Sequence, residues 1–125
     1  MAIWQQKQLS DFARADDFHV SPFYDDGKTF GTPTWIWSVV VGDNLYIRPW
    51  NGRASRWYQS AVKQGAGRIK LAGNVFQVEF EKADADKGLN QQISEAYSKK
   101  YSGSSYLPPM IAEGPTSATM KVLPK

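Results

Sequence analysis

The chain has 125 residues, with five Trp, six Tyr and six Phe but only one His and no Cys. A chain of this length forms one ordinary domain, so we expect a single domain over residues 1–125. Without Cys there is no disulfide, no thiolate nucleophile and no Cys-ligated metal. With His19 as the only imidazole there is no multi-His metal cluster either, and we predict no metal site. The functions that remain possible are catalysis by carboxylates, catalysis by a bound cofactor, and binding without chemistry.

The charge and hydropathy of the chain favour a cytoplasmic protein. The most apolar stretch, 35–41, is too short to span a bilayer. The N-terminal residues lack the apolar core and the small-residue cleavage site of a secretory signal. A net charge of +3 with a pI near 9.2 is too weak to indicate nucleic-acid binding. We therefore expect neither a membrane nor a nucleic acid as a partner.

The hydrophobic periodicity predicts an α+β protein. In chain order it indicates a helix over 3–15, strands over 18–23, 32–41 and 45–50, a helix over 55–64, strands over 68–71 and 76–81, a helix over 86–101 and a strand over 118–122. We expect the first three strands to form an antiparallel meander, Gly73-Asn74 to form a hairpin loop, and Pro108-Pro109 to fix an extended loop. Six short strands and three helices favour a small six-stranded antiparallel β-barrel with flanking helices.

One acid-free segment stands out in the charge pattern. No Asp or Glu occurs between Asn44 and Val78, although an even spread of the 12 acids would put about three there. The same segment holds six of the basic residues: Arg48, Arg53, Arg56, Lys63, Arg68 and Lys70. These basic residues could form a binding site for an anion. The simpler explanation is a solvated face whose counter-charges come from elsewhere in the fold, and the spacing of the residues has to decide between the two.

The junction between the third strand and the second helix is the best candidate for an anion site. The first turn of a helix offers unpaired N–H groups, and Gly52 lets a backbone approach an anion closely. Arg48, Arg53 and Arg56 could add charged contacts, while neighbouring aromatic rings could stack on a planar ligand. The candidate binding residues are Arg48, Asn51, Gly52, Arg53, Arg56, Trp57 and Tyr58, with Trp50 beside them. The alternative is that the helix aromatics are core and the arginines extend into solvent.

Three further residues are candidates for a ligand pocket. Trp35 and Trp37 share one strand face, where they could form barrel core or a ligand platform. His19 lies between Phe18 and Val20 and could be structural or a general base. The pattern assigns no catalytic residue, and the paired carboxylates Glu79 and Glu81 fit a solvated strand face.

Several blocks of the sequence resemble an uncharacterised bacterial family known only as a domain of unknown function. The resemblance runs from about Leu9 to Leu123, and the residues that carry it are 19–23 (HVSPF), 32–37 (TPTWIW), 45–48 (LYIR), Asn51-Gly52, 55–59 (SRWYQ), 67–69 (GRI) and Lys100-Tyr101. A more distant resemblance, over about half the chain, is to deazaflavin-dependent nitroreductases and other flavin-binding split barrels. It rests on a Pro in the second strand, Asn51-Gly52, Trp57-Tyr58 and a following glycine hairpin.

The distant resemblance implies a split barrel that often forms homodimers and holds FMN or a deazaflavin coenzyme. By position, Asn51, Gly52, Trp57 and Tyr58 match its motif, and Arg53 and Arg56 lie where that family also has basic residues. It thus implies a small flavin- or deazaflavin-dependent oxidoreductase. Two alternatives stay open: a cofactor-free protein that binds a small anionic or aromatic molecule, and a cofactor-independent enzyme that uses His19 or a carboxylate. A protein with no cofactor is as plausible as one with a flavin.

Overall fold

The computed structural model describes residues 4–125, which form one antiparallel sheet with helices packed against it. Its elements, in chain order, are α1 (Gln6–Arg14), β1 (His19–Pro22), β2 (Thr34–Trp35), β3 (Ser38–Val41), β4 (Asn44–Ile47), a 3₁₀ turn (Gly52–Ala54), α2 (Arg56–Gln64), β5 (Ala66–Leu71), β6 (Asn74–Lys82), α3 (Lys87–Lys100), the one-turn helices α4 (Leu107–Met110) and α5 (Glu113–Thr116), and β7 (Met120–Pro124). The α+β class is confirmed. Among the described residues, every helix falls short of the length and apolar character needed to cross a membrane.

The sheet is curled, and its strand order shows why. The order is β2-β1-β5-β6-β7-β4-β3, with every neighbouring pair antiparallel. In a flat sheet the two outer strands would lie about 29 Å apart. The chain, however, passes from Trp35 at the end of β2 to Ser38 at the start of β3 in three residue steps, which span at most about 11 Å. The sheet must therefore curl into a barrel-like shape in which β2 and β3 approach each other. We call the junction at Ile36 and Trp37 the seam.

Two hydrophobic clusters lie on opposite faces of the sheet. The larger one combines α1 and α2 with one face of the strands, and its fully buried members include Phe12, Phe18, Leu45 and Ile69. The second joins α3 to β3 and β4 through Val39, Tyr46, Ile93, Tyr97, Tyr101 and Met110. Alternation along β4 places Leu45 and Ile47 in the first cluster and Tyr46 in the second. Arg48 continues the same alternation and therefore also faces α3.

The end of α2 and the start of α3 agree with the sequence-based expectation. The α2 helix ends at Gly65, whose φ of 66° is left-handed and whose amide donates to the Ala61 carbonyl at 2.8 Å. The α3 helix begins after Asp86, whose carboxylate accepts the Leu89 amide at 3.0 Å. The first helix runs from Gln6 to Arg14. Its expected start at Ile3 lies outside the described residues.

The predicted number of strands is wrong because one predicted strand is broken. The single strand expected over 32–41 is two strands, β2 and β3, so the sheet has seven strands and not six. Both antiparallel pairings expected for the three-stranded meander are present, as β1 with β2 and β3 with β4, but the break in the middle strand places these two pairs at opposite edges of the sheet. The alternating pattern continues through Ile36 and Trp37, but the chain changes from one sheet edge to the other there. Local periodicity carries no information about that change.

Two predicted turns differ from those observed. Leu71 pairs with Asn74, so the hairpin loop is Ala72-Gly73, and both residues have positive φ values of 52° and 79°. The Asp17 carboxylate accepts both loop amides, at 2.7 and 2.9 Å, which holds Ala72 in this unusual conformation. The Pro108-Pro109 segment is a helical turn and not an extended loop. Proline is compatible with a first helical turn because the N–H that it lacks would have no helical partner.

Candidate functional site

A cavity lined mostly by aromatic and apolar residues lies at the seam. It has a volume of about 460 Å³, within the range of small-molecule sites. The seam supplies part of its lining, the segment after β4 a second part, and the α4 region a third. The lining residues are Trp35, Ile36, Trp37, Arg48, Trp50, Tyr106 and Met110. We refer to this space as the aromatic cavity.

Two of its tryptophans are fixed by contacts outside the cavity. Trp37 stacks on Tyr101 with a centroid distance of 3.9 Å and an interplanar angle of 4°. Tyr101 in turn contacts Ser38 through its hydroxyl, which accepts the Ser38 amide at 3.3 Å. The Trp35 indole N–H donates to the Asp16 carbonyl at 2.9 Å. These flat walls are therefore held in place before any ligand binds.

Three aromatic rings of the cavity are exposed, Trp35 among them. Trp50 and Tyr106 meet edge to face at 5.6 Å and 72°. Trp35, Trp50 and Tyr106 are 53%, 45% and 63% exposed. Single exposed aromatics are common on protein surfaces, but three around one concavity are typical of binding sites.

Arg48 is fully buried and lines the same cavity. Its Nε donates to Thr119 Oγ1 at 2.9 Å, and one terminal nitrogen donates to Ser94 Oγ at 2.9 Å and to the Met110 carbonyl at 3.4 Å. The other terminal nitrogen donates to the Asn90 carbonyl at 3.0 Å. These four bonds use four of the five guanidinium N–H groups.

None of the four groups that accept hydrogen bonds from Arg48 carries a charge. None of the ion pairs formed within residues 4–125 includes Arg48. Tyr97 lies against it, with the guanidinium 5.4 Å from the ring centroid, but burial raises the pKa of Tyr97 well above its usual range. Tyr97 is therefore a neutral phenol. Burial lowers the pKa of Arg48, yet a guanidinium stays protonated at neutral pH.

The predicted arginine cluster is divided among three places. Arg48 lines the aromatic cavity. Arg53 forms an ion pair with Asp84 at 3.2 Å and donates to the Ser117 carbonyl at 3.1 Å. Arg56 borders an open polar groove that also contains Asp25 and Asp26. The acid-free segment of the sequence thus obtains carboxylate neighbours from elsewhere in the fold.

The other residues predicted for this site are not among the described residues that line the aromatic cavity. Tyr58 is buried in the larger core and Trp57 packs against it. Asn51 precedes the 3₁₀ turn and is exposed. Gly52 has a φ of 63° and lies close to Gly114, where an added Cβ would be 3.1 Å from the carbonyl oxygen. Its conformation therefore serves a close approach between two backbone segments.

His19 lies in a second cavity, of about 340 Å³, which shares no described lining residue with the aromatic one. Its Nδ1 is 2.9 Å from the Asp17 carbonyl oxygen, and because a carbonyl only accepts, the proton is assigned to Nδ1. In the neutral ring Nε2 is then the basic nitrogen. Arg68 and Lys70 line the same cavity, but no carboxylate is among its described lining residues.

The family comparison agrees with the near-complete span of the sequence resemblance. The model of a family described as "Uncharacterized protein conserved in bacteria (DUF2255)" matches residues 8–122. The chain belongs to this family. No curated protein and no solved structure matches the chain.

Several residues around the aromatic cavity of this DUF2255 protein were not among the predicted ones. Tyr106 and Met110 flank the Pro-Pro segment, where the sequence shows no periodic pattern. Asn90, Ser94 and Thr119 contact Arg48, but each is an ordinary polar residue on a helix or beside a strand. In residues 4–125 no group of three or more His, Asp or Glu side chains could hold a metal ion.

Proposed function

We propose that this DUF2255 protein binds a small planar aromatic molecule in the aromatic cavity. The observation that carries the proposal is the arrangement of Trp35, Trp37 and Trp50 around one concave space, with Trp37 fixed by its stack on Tyr101. Flat rings offer large contact areas at low entropic cost, and fixed walls reduce the cost of ordering the site.

A flavin or deazaflavin nucleotide needs more than a flat cavity. Its phosphate requires several cationic or N–H donors close together. Of the arginines predicted for that task, only Arg48 lines the aromatic cavity, while Arg53 pairs with Asp84 and Arg56 borders the groove with Asp25. The residues therefore do not fit a nucleotide phosphate at this cavity. This favours the cofactor-free binding protein over the flavin-dependent oxidoreductase.

A calorimetric titration with simple bicyclic probes tests the proposal. We expect 2-naphthoate or 2-naphthamide to bind with a dissociation constant in the micromolar range. Trp35→Leu should weaken binding at least tenfold, because it removes one flat wall. Tyr24→Leu is the matched control, since Tyr24 is a similarly exposed aromatic residue, 48% exposed, outside the cavity. Failure of every planar probe to bind at millimolar concentration would contradict the proposal.

A parallel titration separates the cofactor-free protein from a flavoprotein. FMN and the deazaflavin coenzyme should bind no more tightly than the naphthalene probes, and Arg53→Ala and Arg56→Ala should leave their binding unchanged. Tight binding of either coenzyme that is lost in these two variants would restore the oxidoreductase hypothesis.

A further inference from the structure

We infer that the natural ligand of the aromatic cavity is a planar aromatic monocarboxylate whose anionic group is attracted by Arg48. The inference rests on the proposed function, since it names the class of molecule that this same cavity takes. It is carried by a separate observation, the unneutralised charge of Arg48.

Arg48 is unusual because its charge is buried without a carboxylate. Transferring an ion from water into a protein interior is costly unless an opposite charge compensates for it. Here Thr119, Ser94 and the carbonyls of Met110 and Asn90 satisfy four N–H groups but leave the net charge uncompensated. An anion in the adjoining cavity would supply that compensation.

The position of Arg48 determines how it acts on a ligand. Its side chain is not exposed to water, so attraction between it and a bound anion passes through protein and not through solvent. Charges interact more strongly under these conditions than at a surface, and salt screens them less. Because protein acceptors already take four of the five guanidinium N–H groups, Arg48 acts on a ligand mainly through its charge.

The lining favours a carboxylate over a phosphate. Arg48 is the only charged residue among the described residues that line the cavity, and it supplies a single positive charge. A carboxylate has one negative charge and two oxygens in the plane of an attached ring. An aryl phosphate has nearly two charges and three tetrahedral oxygens, which require more donors than this apolar lining offers.

Three probes of the same ring system test the inference: 2-naphthoate, 2-naphthamide and 2-naphthyl phosphate, titrated calorimetrically at pH 7. We expect the wild-type protein to bind the carboxylate about 30-fold more tightly than the amide, which corresponds to ~2 kcal/mol. The phosphate should bind more weakly than the carboxylate. The preference should persist in 0.5 M NaCl, because the charge responsible is buried.

Arg48→Met should abolish the preference for the carboxylate while the amide still binds. Arg53→Gln is the matched control, because it removes an arginine outside the cavity and should leave the ratio unchanged. Comparing two ligands on the wild-type protein keeps the test valid even if Arg48→Met does not fold.

The outcomes distinguish the inference from the proposed function. If the amide and the carboxylate bind equally well, the cavity binds aromatics but the inference is wrong. If the preference for the carboxylate disappears in high salt, surface charge causes it, and the role inferred for Arg48 is overturned. If 2-naphthyl phosphate binds more tightly than 2-naphthoate, the inference that the ligand is a carboxylate is wrong. If none of the three probes binds, the proposed function itself fails.

Discussion

Lys100 is expected to make the stability of the protein depend on pH in a defined direction. Its ammonium group donates to the Ser38 carbonyl at 2.8 Å and to the Phe12 carbonyl at 3.2 Å, and so ties α1 to β3. Burial lowers the pKa of Lys100 from 10.5 to about 8, although the nearby carboxylates of Asp16 and Asp17 oppose this shift. The folded protein therefore releases this proton at a lower pH than the unfolded chain.

The sign and size of the effect follow from proton linkage. Between pH 8 and pH 10.5 the unfolded chain keeps the proton that the folded protein has lost, so the free energy of unfolding rises with pH. The full shift would give a gain of about 2 kcal/mol between pH 7 and pH 9.5. Because the side chain is only partly buried, solvent screening reduces our expectation to about 1 kcal/mol. Above pH 10 the trend reverses, since burial raises the pKa of Tyr97 and Tyr101 and only the unfolded chain ionises there.

Urea unfolding of wild type and Lys100→Met between pH 7 and pH 9.5 measures this contribution. The difference in unfolding free energy between the two proteins should grow by about 1 kcal/mol in favour of wild type as the pH rises. Lys99→Met is the control, because Lys99 is an exposed neighbour on the same helix. If the difference between wild type and Lys100→Met does not change with pH, the reasoning about Lys100 is refuted.

Two further substitutions test the fold that supports the cavity. Gly67→Ala should lower the free energy of unfolding by about 3 kcal/mol or prevent folding. The reason is that the added Cβ would lie 2.5 Å from the Ser21 carbonyl oxygen and 2.6 Å from the Pro22 Cα. If a urea titration shows that the variant is as stable as wild type, the close approach of β1 and β5 is contradicted. Asp17→Ala should cost about 2 kcal/mol, because two amides of the β5–β6 hairpin, including that of Ala72, lose their acceptor. Faster hydrogen exchange in that hairpin should accompany the loss, and unchanged exchange would argue against it.

The sequence predicts the elements of this protein better than their arrangement. The ends of α2 and α3 follow from Gly65 and Asp86, whose capping chemistry is local. The break at Ile36 and Trp37 does not, because the alternation of apolar residues continues through it. What ends the strand is the need to close a curled sheet, and that constraint comes from strands far along the chain.

The same distinction explains the outcome for the candidate site. The sequence correctly predicts where α2 begins and that Gly52 and the arginines lie near its start. What these residues do depends on their neighbours in the fold. Arg53 meets Asp84, which is 31 residues away, whereas Arg48 meets only neutral acceptors. A charge count along the chain treats these two arginines alike. Only contacts with residues distant along the chain, Asp84 for Arg53 and neutral groups such as Asn90 and Thr119 for Arg48, distinguish the neutralised arginine from the unneutralised one.

The location of the aromatic cavity has an energetic consequence for the whole sheet. At the seam β2 contributes only two residues, which pair with His19 and Val20, and β3 lies at the opposite edge of the same sheet. Trp35, at the end of β2, and Trp37, in the seam before β3, both line the cavity. A ligand held by these residues binds the folded protein and not the unfolded chain, in which the segments that line the cavity are apart. At a free concentration one hundred times its dissociation constant, such a ligand stabilises the folded protein by about 2.7 kcal/mol. A rise in thermal stability therefore reports binding to the folded protein, whether or not any chemistry follows.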